Sequence, residues 1–442
     1  LRLPNKPFAI TASDSGHQIK PLPDAIPFAL AWAQTNHGSN NIMQHDRSLA
    51  LAFGGLAAMT AALGIGRFVY TPILPAMLGA LGWSKSDAGL VASANLLGYF
   101  IGALLAGRPF AVARPRPWLL AALTISAVST AAMALPSDIV SFVSLRFIGG
   151  VASAFVIVCA STLVLERLSA SGRGSLSAVQ FAGVGFGILI SAITVSVLLA
   201  SGAGWRSLWI GTGSLAVLAA VAAAALIPAS DQAGAAMKPE MINAPPSGMT
   251  AMVVAYGLFG FGYIITATFL VAIVRLTAEV RVLEPWVWTL FGLAAIPSVT
   301  VWSWLGQRVG ILNAFAAACA IEAVGVAVSV EWVTIPGICL SALLLGGTFM
   351  GLTVLGFLAG RMLSSGHPHR AFARMTASFS IGQMIGPTLA GFLSERLGDF
   401  RVASLIAAAA LVAAAALALR TSWAASTSPQ MAPDTAARTA RR

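Results

Sequence analysis

From Ser48 onward the chain is a succession of apolar runs, most of about twenty residues or more, separated by short polar breaks. A helix rises 1.5 Å per residue, so about 20 apolar residues cross the hydrocarbon layer of a bilayer. The runs predict helices over 48–80, 85–107, 117–135, 138–166, 177–200 and 204–228. Six more follow over 250–276, 285–307, 310–330, 336–362, 374–394 and 399–420. None of the runs keeps the period-2 alternation of a barrel strand, which argues against an outer-membrane barrel. The predicted fold class is an all-α membrane protein with twelve transmembrane helices.

The polar segments divide the chain further. Residues 229–249 contain Lys238, Pro239, Pro245 and Pro246 and read as a linker between two sets of six helices, 48–228 and 250–420. Residues 1–47 are polar and irregular, and residues 421–442 form a basic tail rich in Ala, Ser, Thr and Arg. Both are expected to be disordered. Met43 is the first methionine and stands just before the first run; translation is expected to start near it, with residues 1–42 carrying no function.

Composition supports the membrane reading, with 57% hydrophobic and 9% charged residues and a mean hydropathy of +0.84. Soluble domains carry about 25% charged residues. The net charge of +11 does not indicate nucleic acid, because the bases lie in loops and tails. Alternate loops differ in charge. One side collects twelve, among them Arg108, Arg114, Arg116, Arg167, Arg173, Arg308 and Arg361, against six on the other, including Lys85, Arg206 and Arg275. The positive-inside rule then places both termini and the linker in the cytoplasm. Cys159, Cys319 and Cys339 lie inside apolar runs without metal-ligand spacing and read as packing residues. No nucleophile–base pair or metal constellation occurs in any run, so neither an enzyme nor a cofactor or metal site is expected.

The two sets of six repeat each other at a spacing near 197 residues. Gly64, Gly66 and Leu74 of GIGRFVYTPILP correspond to Gly260, Gly262 and Leu270 of GFGYIITATFLV. RFIGG, Arg146 to Gly150, corresponds to LLLGG, Leu343 to Gly347. Gly183 and Gly187 in helix 5 correspond to Gly382 and Gly386 in helix 11, and Trp205-Arg206 to Phe400-Arg401. The loops after helices 2 and 8 hold Arg108 and Arg308. Parallel six-helix repeats are the architecture of transporters that bind their solute between two halves at the bilayer midplane.

The chain resembles the major facilitator superfamily over about residues 48–420. The strings GRFVYTPILP, GYIITATFL and GQMIGPTLAG resemble its bacterial YbfB/YjiJ-like branch. That resemblance implies a monomeric secondary active transporter of the bacterial inner membrane. In this architecture helices 1, 4, 7 and 10 line the cavity. The superfamily's loop signature places an aspartate before its arginine, where this chain has Gly107 before Arg108 and Gln307 before Arg308. Those loops are nevertheless the expected cytoplasmic gates.

Within that frame Arg67 falls near the middle of the bilayer, where a charge costs several kcal/mol unless it meets water or a partner. Arg146 lies roughly 12 Å from the outer face. Their repeat counterparts are Tyr263 and Leu343, so only the first half carries buried positive charge. A guanidinium offers a planar donor fork to a carboxylate. Arg67, Tyr70, Arg146, Tyr256, Tyr263 and Thr266 are the candidate solute-binding residues, the last three sharing one face of helix 7. The competing reading gives Arg67 a structural role, bonding backbone carbonyls freed by Pro72 and Pro75. Glu322 in helix 9 is the one acid well inside a span and the candidate for coupling to protons. Gly183, Gly185, Gly187, Gly382, Gly386 and Pro387 are expected to form a hinge and packing seam between the halves. The predicted function is alternating-access transport of a small organic anion or zwitterion. The alternatives are a proton-coupled drug or metabolite exporter and a non-transporting sensor.

Overall fold

The computed structural model describes residues 47–228, 246–364 and 368–427. The expected N-terminal tail, nearly all of the linker and most of the C-terminal tail lie outside the described residues. In the first half α1 is Arg47–Leu81, α2 Lys85–Ala106, α3 Pro115–Ala132, α4 Ile139–Ala170, α5 Ser177–Ala200 and α6 Trp205–Leu226. In the second half α7 is Pro246–Leu276, α8 Glu284–Val309, α9 Ile311–Glu331, α10 Ile335–Met362, α11 Pro368–Leu397 and α12 Arg401–Thr427. Among the described residues, 10 helical spans are long and apolar enough to cross a membrane. The other two long helices are α3, with 18 residues, and α11, whose first turns are polar and basic.

Helix starts follow local chemistry. Ser84 caps α2 by accepting from the Asp87 amide, while the Asp87 carboxylate accepts from the Ser84 amide at 3.1 Å. Asp138 caps α4 by accepting from the Ser141 amide at 2.9 Å. That bond and the Ser141 hydroxyl hold the Asp138 carboxyl below its ordinary range. Gly82 ends α1 with φ +66°, a left-handed conformation that suits glycine.

The surface is apolar, as lipid contact requires. Val128 on α3, Leu218 and Val221 on α6 and Val412 on α12 are all exposed. The interior relies on close helix approach at glycines. Gly150 of RFIGG lies against the Asn95 backbone of α2, and Gly346 of LLLGG against the Phe291 backbone of α8. The packing of α2 on α4 and of α8 on α10 is thus equivalent, but Gly150 is answered by Gly346, one residue before the Gly347 that the repeat alignment pairs with it.

The expected seam is corrected at four of its six positions, while Gly185 and Pro387 do lie between the halves. Gly183 and Gly187 face Leu56 and Gly64 of α1, and Gly382 and Gly386 face Gly257 and Ile264 of α7. Both pairs therefore act within a half. The seam between halves uses other faces of the same helices: Gly185 meets Ala295 and Ile296 of α8, and the Pro387 carbonyl meets Gly89 of α2. Residues four apart share a helix face and residues two apart do not. A Cβ on Gly382 would collide with the Gly257 carbonyl. Gly382→Val is expected to destabilise the fold by about 1–3 kcal/mol, the usual effect of overpacking, visible as a lower Tm.

The halves are joined most firmly at the end carrying the α1–α2 loop. Lys85 Nζ donates to the Ser394 carbonyl at 3.1 Å and the Gly398 carbonyl at 2.8 Å. Ser86 donates to Glu395, the Thr388 hydroxyl bonds Ser93 at 2.8 Å, and Ser196 donates to the Pro285 carbonyl at 2.8 Å.

Candidate functional site

Helix α1 does not run through the membrane as a regular α-helix. Thr60–Ile65 is a π-helical turn, and the Gly66 and Phe68 amides donate to carbonyls five residues back, at 3.0 and 3.2 Å. Such bulges recur at functional sites. Pro72 has no N–H to give Phe68, whose carbonyl instead accepts from the Thr71 amide at 3.2 Å. Arg146 reaches into this gap from α4. Its two terminal nitrogens donate to the Gly66 and Arg67 carbonyls, each at 3.0 Å. Asn95 on α2 fixes α4 alongside by donating to the Arg146 carbonyl at 2.9 Å. The Arg146 guanidinium lies 5.0 Å from the Tyr70 ring centroid, and the Tyr70 hydroxyl donates to the Ala88 carbonyl at 2.9 Å.

The break turns Arg67 towards the second half. One terminal nitrogen donates to Gln383 Oε1 on α11 at 2.8 Å, and the Gln383 amide nitrogen bonds the Tyr263 hydroxyl on α7. A polar line therefore joins α1, α11 and α7 across the two halves. The guanidinium stacks 4.8 Å from the Tyr99 ring and 5.3 Å from Phe68. Arg67 is only 6% exposed, and its Nε has no hydrogen-bond partner. An amide and two rings surround this charge, and none of them is an anion.

Space around the site is unequal. A pocket of about 20 Å³ touches Arg67, Tyr70, Asn95, Arg146, Ala267 and Thr268, enough for roughly one water. A cavity of about 530 Å³ lies towards the end carrying the α4–α5 and α10–α11 loops, between α2, α4, α5, α10 and α11. Tyr99 lines that cavity and also carries the Arg67 guanidinium on its ring, so it separates the arginine from the open space. Among the described residues, none that lines the cavity is acidic. A third space of about 330 Å³ lies near the opposite end, beside Pro72, Ser196, Trp288 and the 3.3 Å ion pair of Arg275 with Glu284.

Two comparisons bear on this arrangement. A family model described as "Uncharacterised MFS-type transporter YbfB" matches residues 59–419, which is most of the chain. The chain belongs to this family of the major facilitator superfamily. It is a multi-pass membrane transporter and not an enzyme. Among solved structures, the nucleoside transporter NupG is similar in fold, with a TM-score of 0.64 at 15% identity over 87% of this chain and 100% of NupG. A mutant of NupG gives 0.64 at 14% identity, over 85% and 99% of the two chains.

In this major facilitator fold the candidates of the sequence separate. Arg67 and Tyr263 are brought together through Gln383. Arg146 and Tyr70 lie beside them, but their side chains are engaged with the backbone. The backbone-bonding role considered for Arg67 is taken by Arg146, at the Gly66 and Arg67 carbonyls rather than at those that Pro72 and Pro75 free. Tyr256 points elsewhere: its hydroxyl donates to the Thr353 carbonyl at 3.1 Å, and its ring stacks 4.7 Å from Phe379. Thr266 is fully buried with an unpartnered hydroxyl and is absent from the lining of all three spaces. Glu322 faces inward from α9 with 0% exposure. Thr348 on α10 lies close to it, yet neither carboxyl oxygen forms a hydrogen bond. Arg108, Gln307 and Arg308 are exposed, and Arg308 stacks 4.1 Å from Trp304 of its own helix.

Sequence reasoning overlooked three residues of the site: Gln383, Tyr99 and Asn95. Each left a signal. Gln383 and Asn95 are carboxamides inside apolar runs, where an unpaired amide is costly. Tyr99 is one of only 4 tyrosines in the chain, and all of them are buried.

Proposed function

We propose that the chain moves a small organic anion or zwitterion across the bacterial inner membrane by alternating access, with Arg67 as the anchor for the negative group. The observation that carries this reading is a buried guanidinium with no anionic partner. Such a charge is expensive in a membrane interior, and a solute carboxylate would neutralise it. Gln383 and Tyr263 would hold the fork in place from the second half, so that binding is felt by both halves at once. The excess of arginines at the end carrying the α2–α3 loop supports a cytoplasmic position for that end and for both termini. The 530 Å³ cavity would then face the cytoplasm, with Lys85, Ser86 and Ser196 closing the outer side. A cation exporter is less favoured, since no acid lines the cavity.

A ligand-stabilisation screen on the purified chain tests this reading. A solute at a hundred times its Kd stabilises the folded state by about 2.7 kcal/mol. Organic monoanions are expected to raise Tm and nucleosides are not. Stabilisation by cations or neutral solutes alone would overturn the anion reading.

Glu322 is the group we propose for proton coupling, since its carboxyl has no cation or hydrogen bond to hold it ionised in this conformation. Glu322→Gln keeps the shape and removes the proton site. In liposomes its flux is expected to lose dependence on an imposed pH gradient while solute exchange continues. An unchanged pH response would remove Glu322 from the coupling path.

A further inference from the structure

We infer that the transported anion is amphipathic, carrying a ring-sized apolar body rather than being a compact hydrophilic acid. This rests on the transport reading above and adds the chemistry of the remainder of the solute. The cavity beneath Tyr99, at about 530 Å³, falls within the range of small-molecule sites. Its walls are apolar from both halves: Ile157, Val158 and Phe181 on one side, and Val354, Leu358 and Met375 on the other.

The few polar groups there are mostly committed. Ser161 accepts from the Gln180 side chain at 3.0 Å, and the Thr162 hydroxyl donates to the Val158 carbonyl at 3.0 Å. Thr376 alone among these three hydroxyls has no hydrogen-bond partner. Positive charge is available at the two ends, from Arg361 in the lining and from Arg67 behind the Tyr99 ring. A small hydrated acid could reach an arginine and Thr376 at the ends of this space, but it would give up the rest of its water to apolar walls that return no hydrogen bond. A sugar or nucleoside would strand most of its hydroxyls for the same reason. An apolar ring gains from contact with the walls, leaving its carboxylate for an arginine and Thr376.

Titration calorimetry on the purified full chain in lipid nanodiscs tests this with phenylacetate, acetate, succinate and neutral phenylacetamide. Phenylacetate is expected to bind at least about tenfold more tightly than acetate or succinate, the yield of burying a ring. Ala103→Trp, which fills the cavity from α2, is expected to abolish that preference. Val354→Thr keeps the shape of the wall and adds a hydroxyl, and it is expected to weaken phenylacetate severalfold, so the test stands if the larger substitution fails to fold. Equal affinities for phenylacetate and acetate, both weakened by Arg67→Lys, would overturn the inference and leave the anion reading intact. Binding of phenylacetamide without either acid would overturn the anion reading, and this inference with it.

Discussion

Replacing Arg67 by lysine is expected to lower kcat/KM for solute transport by roughly tenfold to a hundredfold, about 1.4–2.8 kcal/mol of lost interaction. Lysine keeps the charge and loses the fork. A guanidinium can bond Gln383 with one nitrogen, as it does at 2.8 Å, and still present its unpartnered Nε side to a carboxylate. A single ammonium on a shorter, flexible stem cannot hold both at fixed angles, and it loses the planar stack on Tyr99. The loss should appear mainly in KM, because the contact is made to the bound solute before the halves move. Membrane insertion and Tm should change little. Kinetics within twofold of the parent, measured in liposomes at matched protein density, would return Arg67 to a purely structural role.

Arg146→Ala is expected to have the largest effect on the fold. It removes the donors of the Gly66 and Arg67 carbonyls, both at 3.0 Å, in the stretch of α1 that follows the π-helical turn. Bare carbonyls in a water-poor interior cost about 1–3 kcal/mol each. Relief of the buried charge offsets part of this, so a net loss of roughly 2–4 kcal/mol is expected. Thermal unfolding of the purified protein checks it. Arg146→Met, which fills the space without donors, should behave like the alanine variant if the hydrogen bonds matter more than packing. An unchanged Tm with abolished transport would contradict this account and make Arg146 a solute-binding residue.

How much of this was legible depended on which physical signal each residue sends. Helix positions were readable because a span needs about twenty apolar residues. Where a helix extends past its apolar run the sequence underestimates it: α11 begins at Pro368 rather than at residue 374, because its first turns hold His369, Arg370 and Arg374. The pairing of Arg67 with Tyr263 was reachable from the repeat. Gln383, which joins them, was not, since its repeat counterpart is Val184 and an uncharged amide stands out less than a charge. Both arginines were readable as solute-binding candidates, and bonding of backbone carbonyls was considered for Arg67. Only the location of the π-helical turn, Thr60–Ile65, gives the backbone to Arg146 and leaves Arg67 turned towards the second half. The glycine seam could have been divided from the sequence, because Gly185 sits on the opposite face from Gly183 and Gly187.

The role given to the buried, uncompensated Arg67 is to serve an anion crossing between the two halves. It is tested most directly by counterflow in liposomes containing only the purified chain and lipid. With unlabelled organic anion trapped inside, labelled anion outside should accumulate transiently above equilibrium, and Arg67→Lys vesicles should fail to reach that peak at the same concentration. The account is contradicted if a broad panel of organic anions gives no counterflow, or if the peak is the same with and without the Arg67 guanidinium.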